Sequence, residues 1–219
     1  MKAFNYFKID CIRCRYQLIM AFVIVVVFCF ICNSAQQGIG FSCGYGFFLA
    51  VIFAGQPFNQ EAKSESGFIN MLPGTRRQRV IGRFLYALLG VVFAVVVACA
   101  VLVSVAIRGM EIPESTGAIL IAMTGAALFL VSIQMVIMYS AGKGKSQQLM
   151  TIIQVVPSLL LFFIIMMIGT YVEEHNGFNY AWISENKAWL SSLVLAIGVL
   201  ALGMAFIVAN RIVERRDYA

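Results

Sequence analysis

Charge is what this sequence has least of. Only 12% of its 219 residues are Asp, Glu, Lys or Arg, and it contains a single histidine. No HExxH or GxSxG pattern occurs, so neither a helix-borne zinc site nor a nucleophile elbow is available. The stretch AGKGKSQQ at 141–148 falls short of a phosphate-binding loop. That motif needs a glycine where Tyr139 stands, and this stretch follows an apolar run, not a buried strand. No charged residue lies in the middle of any long apolar run. Proton pumps, ion-coupled antiporters and voltage sensors all rely on ionisable groups within the bilayer, so each is argued against.

Apolar surface is what the chain has in excess, with 61% hydrophobic residues. Six runs, near 16–36, 40–58, 82–107, 117–140, 149–171 and 188–210, each have about the 20 residues that cross a ~30 Å hydrocarbon core. The expected fold is all-α, a polytopic membrane protein of six transmembrane helices. The runs are continuous, not alternating, which excludes a β-barrel. The first exceeds the ~7–15 residues of a signal-peptide core.

The basic residues set the topology. Lys2, Lys8, Arg13 and Arg15 precede the first run; Lys63, Arg76, Arg77, Arg79 and Arg83 lie between or at the edges of the second and third. Lys143 and Lys145 separate the fourth and fifth, and Arg211, Arg215 and Arg216 follow the sixth. Only Arg108 and Lys187 fall on the other side. The positive-inside rule makes the crowded side cytoplasmic, with both termini inside. The net charge of +6 is thereby explained by topology and anionic lipid, with no nucleic acid required.

Cys11-x-x-Cys14 and Cys29-x-x-Cys32 have zinc-ribbon spacing. A helix from Cys14 to Cys29 would span ~22 Å, too far for one tetrahedral ion, so no metal site is expected there. Glu173, Glu174 and His175 sit in the longest outer loop, where one histidine and two adjacent carboxylates make a weak metal signal. Tyr180, Trp182 and Trp189 in that region read as an interfacial belt.

Residues 1–15 mix aromatic and basic side chains. Phe4, Phe7, Ile9 and Ile12 form an apolar face, and Lys8, Arg13 and Arg15 reach lipid headgroups; an amphipathic interfacial helix is expected, leading into a transmembrane domain over 16–219. In the second run Pro57 should break or bend the inner end. Gln56 and Asn59 there read either as a hydrated helix end or as the inner mouth of a substrate pathway. Gly90, Ala94 and Ala98, and likewise Ala201, Ala205 and Ala209, repeat every four residues and permit close helix packing in lipid. In the fifth run Gln147, Thr151, Gln154 and Ser158 form one polar stripe, with Pro157 beside it and Phe162, Phe163, Met166 and Met167 beyond. Two readings stay open: hydrogen bonds between helices, or a substrate-pathway wall that includes Phe162.

The stretch FNQEAKSESGFINMLPGTRRQRVIGRFL, 58–85, is the one most suited to a soluble partner. It starts acidic with Glu61 and Glu65, passes an apolar patch of Phe68, Ile69, Met71 and Leu72, turns at Pro73-Gly74, and ends in Arg76, Arg77, Arg79 and Arg83. Here the sequence resembles the permease subunits of bacterial type II ABC exporters. Glu61 opens the segment after the second run, LPGTR at 72–76 matches that family's Leu-Pro-x-x-Arg turn, and RRQRVIGRFL at 76–85 matches its basic lead into the third span. The resemblance implies a half-transporter in the bacterial cytoplasmic (plasma) membrane. Two such chains, identical or different, would pair, and each would dock a separate ABC ATPase subunit. ATP and Mg would be bound by that partner, with no cofactor on this chain. The coupling loop would be 59–83, and Glu61, Glu65, Phe68, Ile69, Leu72, Pro73, Arg76 and Arg77 would be its coupling residues. The uncharged spans point to an amphipathic peptide or a lipid-like cargo, with exporters of phenol-soluble modulins or antimicrobial peptides as fitting members. The competing readings are an ATP-independent channel or facilitator and a membrane scaffold. A membrane-embedded enzyme would need a nucleophile or metal cluster that the sequence does not display.

Overall fold

The computed structural model describes residues 2–34, 39–63, 75–109, 116–141 and 185–215, with Ile152, Val155, Val156 and Leu159. Every element among them is helical: α1 (Lys2–Arg13), α2 (Arg15–Ser34), α3 (Ile39–Ala54), α4 (Gln56–Lys63), α5 (Arg76–Ile107), α6 (Thr116–Ala141) and α7 (Lys187–Arg215). Three of them, α5, α6 and α7, are long and apolar enough to cross a membrane. The first and second expected spans coincide with α2 and α3. The fifth, apart from the four isolated residues, lies outside the described residues.

Two boundaries differ from expectation. The second span was expected to run from 40 to 58, yet α3 stops at Ala54 and α4 starts at Gln56. Pro57 is the cause: it has no N–H to continue the ladder, and the chain turns at Gly55, whose carbonyl accepts from the N–H groups of Phe58 and Asn59 at 3.2 and 3.3 Å. The third span was expected from 82, but its helix starts at Arg76. Thr75 explains this. Its hydroxyl accepts from the Gln78 N–H at 3.4 Å and its own N–H donates to Gln78 Oε1 at 3.1 Å, forming a capping box. The basic lead is therefore the first two turns of α5. At the other end Arg108 caps the helix and Gly109 takes φ +71°, a left-handed stop that suits glycine.

Close contacts fix the helix directions. Gly46 faces Ala94, and Gly90 faces Ala50, so α3 and α5 are antiparallel. Cys14 lies beside Tyr86 and Phe22 stacks on Phe93 at 5.8 Å, so α2 follows α5 in the same direction. Near the start of α5, Arg83 lies 6.0 Å from the Tyr139 ring of α6, and Phe84 meets Phe206 of α7 edge-on at 5.5 Å. Farther back, Gly125 of α6 touches α7 backbone to backbone: a Cβ on it would stand 2.6 Å from Leu195 N, and one on Gly198 would strike the Gly125 carbonyl. Hence α6 and α7 run in one direction, both against α5.

The core lies between α3, α5, α6 and α7 and includes Phe47, Val51, Ala87, Val91, Ala127, Val131, Met135 and Met138. Both small-residue stripes are used within the chain: Gly90, Ala94 and Ala98, and Ala201, Ala205 and Ala209, are all buried. Hydroxyls inside the spans satisfy themselves. Thr124, Ser132 and Ser140 each donate to the carbonyl four residues back, at 2.6–2.7 Å. Opposite the core, Val92, Val96 and Val103 on α5 and Leu200, Met204 and Ile207 on α7 are exposed, an apolar exterior suited to lipid.

Candidate functional site: a buried charge cluster where four helices meet

The most distinctive side chains gather where α1, α4, the start of α5 and the end of α6 come together. Arg83 lies at the centre. It is only 4% exposed, and its guanidinium pairs with the Glu61 carboxylate from α4. It also lies 4.2 Å over the Phe58 ring, and Phe58 in turn meets the Tyr139 ring edge-on at 5.0 Å. A partly desolvated cation on an aromatic face contributes about 0.5–2 kcal/mol. Removing one partner from a buried ion pair costs about 3–5 kcal/mol, because the other charge is stranded. Arg83 Nε is buried and makes no hydrogen bond among the described residues.

The fourth side of the cluster comes from α1. Tyr6, Asp10 and Cys14 fall at i, i+4 and i+8, one helix face, and all three are buried. This face lies on α5 because residue 82 is glycine: a Cβ there would stand 2.7 Å from Tyr6 Cβ and 3.0 Å from the Phe7 backbone N. Only a residue without a side chain lets the two backbones come so close. Asp10, 6% exposed, sits in the field of Arg83, Glu61, Arg13 and Arg79. Burial raises its carboxyl above the ordinary 3.8, and Glu61 adds to that while Arg83 opposes it.

The expected apolar face of α1 exists as well. Phe4 and Ile12 are exposed, Phe7 and Ile9 half-buried, and Lys8 lies over the Phe4 ring at 5.2 Å. The helix thus has two working faces, where the sequence suggested one. Burial pushes the Cys14 thiol up to about 11 and raises that of Cys11.

Of the expected coupling residues, Glu61 is in the cluster, two residues before the end of α4, and Arg76 and Arg77 are exposed in the first turn of α5. Glu65, Phe68, Ile69, Leu72 and Pro73 lie outside the described residues. So do Gln147, Thr151, Gln154, Ser158 and Phe162 of the expected pathway. Gln56 is half-buried and Asn59 is buried, so Asn59 is not a hydrated helix end. The sequence did not single out Asp10, Tyr139 or Gln134. The first had a signal, as the one acid among the basic residues of the N-terminal segment. Gln134 had one too: it is the only amide side chain in the fourth run, and it is fully buried, with neither amide atom hydrogen-bonded among the described residues.

Chemically the cluster holds charge, with the Glu61–Arg83 ion pair as its core. It fastens α1, α4, α5 and α6 to one another beside the connection 64–74. A family model described as ABC-2 family transporter protein matches residues 7–214. No curated protein matches the chain, and no solved structure does.

Proposed function

The chain therefore belongs to the ABC-2 transporter family, and we propose that it is the permease of an ATP-driven exporter in the bacterial cytoplasmic membrane. Two permease chains pair, and each binds a separate ATPase that carries ATP and Mg. The cargo is an amphipathic peptide or a lipid-like molecule.

The observation that carries this reading is the way both ends of the connection 64–74 are anchored. On one side α4 ends at Lys63, and on the other the capped helix α5 begins at Arg76. The part-buried Glu61–Arg83 pair ties the two together. A force applied to that connection by a docked ATPase would pass directly into α3 and α5, and would tilt them between access states. An unanchored loop would absorb it.

The helix directions support six spans. α6 and α7 run the same way, so the chain must recross between them an odd number of times, as a fifth span at 149–171 provides. α5, with 32 residues, is ~48 Å long at 1.5 Å per residue, against a ~30 Å hydrocarbon core. Its surplus accommodates the Arg76 end beyond the hydrocarbon, on the basic, cytoplasmic side. The exposed Phe4–Ile12 face of α1 suits the headgroup boundary at that level.

The test is a gentle detergent pull-down of the chain from its native membrane, with partners identified by mass and assayed for ATP hydrolysis. A stoichiometric ATPase is expected, and Glu65→Arg and Phe68→Asp should release it without affecting membrane insertion. A chain recovered alone returns the channel and scaffold readings. An ATPase that stays bound to both variants places the docking surface elsewhere.

A further inference from the structure

We propose that Arg83 is a shared counter-ion, handed between Glu61 on α4 and Asp10 on α1 as α4 moves. The proposal rests on the transporter reading for its purpose, but not for its geometry. Arg83 pairs with Glu61, and Asp10 is buried on the α1 face that packs against Gly82, the residue next to Arg83, where it lies in the same guanidinium's field. The arginine still has a spare donor, since buried Nε makes no hydrogen bond among the described residues. A guanidinium has five N–H donors in a fixed fork and can serve two carboxylates in turn.

The physical reason for two acids is the cost of moving one. If Glu61 were the sole compensating charge, a shift of α4 would strand a buried cation, and the pair would act as a rigid bolt. With Asp10 close by, the charge stays compensated in both positions. The barrier falls, and the motion of α4 is converted into a change in how strongly α1 is held to α5. The other charges facing Asp10 are Arg13 on its own helix and Arg79 on α5. Both are cations and share the field of that carboxyl with Arg83. Phe58 and Tyr139 supply the aromatic surface past which the guanidinium swings.

The test is a thermal-stability cycle on the purified full chain. Glu61→Gln and Asp10→Asn should each lower Tm by only about 3 °C, because the remaining carboxylate still compensates Arg83. The double variant should lose about 10 °C or more, well beyond the sum. Additive losses overturn the proposal. Adding Arg83→Gln to the double variant should then raise Tm by removing the stranded cation, whereas a further fall would mean that Arg83 acts through packing alone. If the double variant does not fold, recovery of folded protein in the triple variant gives the same answer. In the complex with a co-purified ATPase, Asp10→Asn should keep the ATPase bound and lower ATP hydrolysis in proteoliposomes by about tenfold; unchanged hydrolysis refutes the role in coupling. If no ATPase accompanies the unaltered chain, the transporter reading fails, and the Tm cycle still decides whether Arg83 is shared.

Discussion

Two regions hold these helices together by opposite means. Where α6 crosses α7, there is nothing but backbone: Gly125 and Gly198 meet with no side chain between them. Where α4 meets α5, the contact is made by side chains carrying full charges, Glu61 and Arg83. In lipid, helices gain little from hydrophobicity towards one another, so association depends on close van der Waals contact or on polar groups with partners. The glycine crossing uses the first and has essentially one arrangement. The charge cluster uses the second and has several, since a guanidinium can exchange acceptors. The difference teaches where this molecule is built to stay put and where it is built to move. The cluster, not the crossing, adjoins the connection 64–74.

Substitutions sharpen that contrast, and the largest effect should come from the cluster. Arg83→Gln leaves Glu61 without its cation and should cost about 3–5 kcal/mol. The loss should appear as a fall of roughly 10 °C in Tm of the detergent-purified chain. A fall of only a degree or two would show that the pair is not compensating a buried charge. Next is Gly198→Leu. A side chain there strikes the Gly125 carbonyl, and prising the helices apart should cost about 1–3 kcal/mol or more. Faster hydrogen exchange of α6 and α7 around the crossing should report the separation, while the Glu61–Arg83 end remains intact. Thr75→Ala removes the capping box of α5 and should cost ~1 kcal/mol. Hydrogen exchange of the first turn, at Arg76–Arg79, is the direct readout, and unchanged protection there would mean that α5 does not depend on its cap.

The smallest effect is a pH dependence. Because burial raises the Asp10 carboxyl, the folded chain binds a proton there more readily than the unfolded chain. The contribution of this group to stability is therefore greatest at acid pH and declines as pH rises through the raised value. Tm measured upward from about pH 4 should show that decline, and Asp10→Asn should flatten it. The same variant should leave the glycine crossing unaffected, since the two regions share no residue.

The membrane class, the positions of α2, α3, α5, α6 and α7, and the use of the Gly90 and Ala201 stripes were legible because each depends on local pattern. Twenty apolar residues in a row have few alternatives, and small residues every four places lie on one face whatever surrounds them. The break at Pro57 was legible for the same reason. The early start of α5 was not read, although Thr75 and Gln78 have the spacing of a capping box; the density of arginine suggested a loop. The site was legible in part. Glu61 and Arg83 both stood out within one stretch, but as separate features, one a coupling residue and the other part of the basic lead into the third span.

The sequence by itself determined that this chain is a helical membrane protein and where its longest apolar helices, α5, α6 and α7, lie. These follow from the cost of placing polar groups and charges in hydrocarbon, a cost each segment incurs alone. Only the tertiary structure decided that the N-terminal helix has a second face docked on α5, that Glu61 of α4 pairs with Arg83 of α5 in the field of the buried Asp10, and that α6 and α7 run in the same direction. Those facts depend on contacts between segments far apart in the sequence, such as Phe84 with Phe206 and Gly82 with Tyr6. Such contacts rest on a missing Cβ at Gly82 or on which of two acids an arginine meets, and no local pattern encodes the partner.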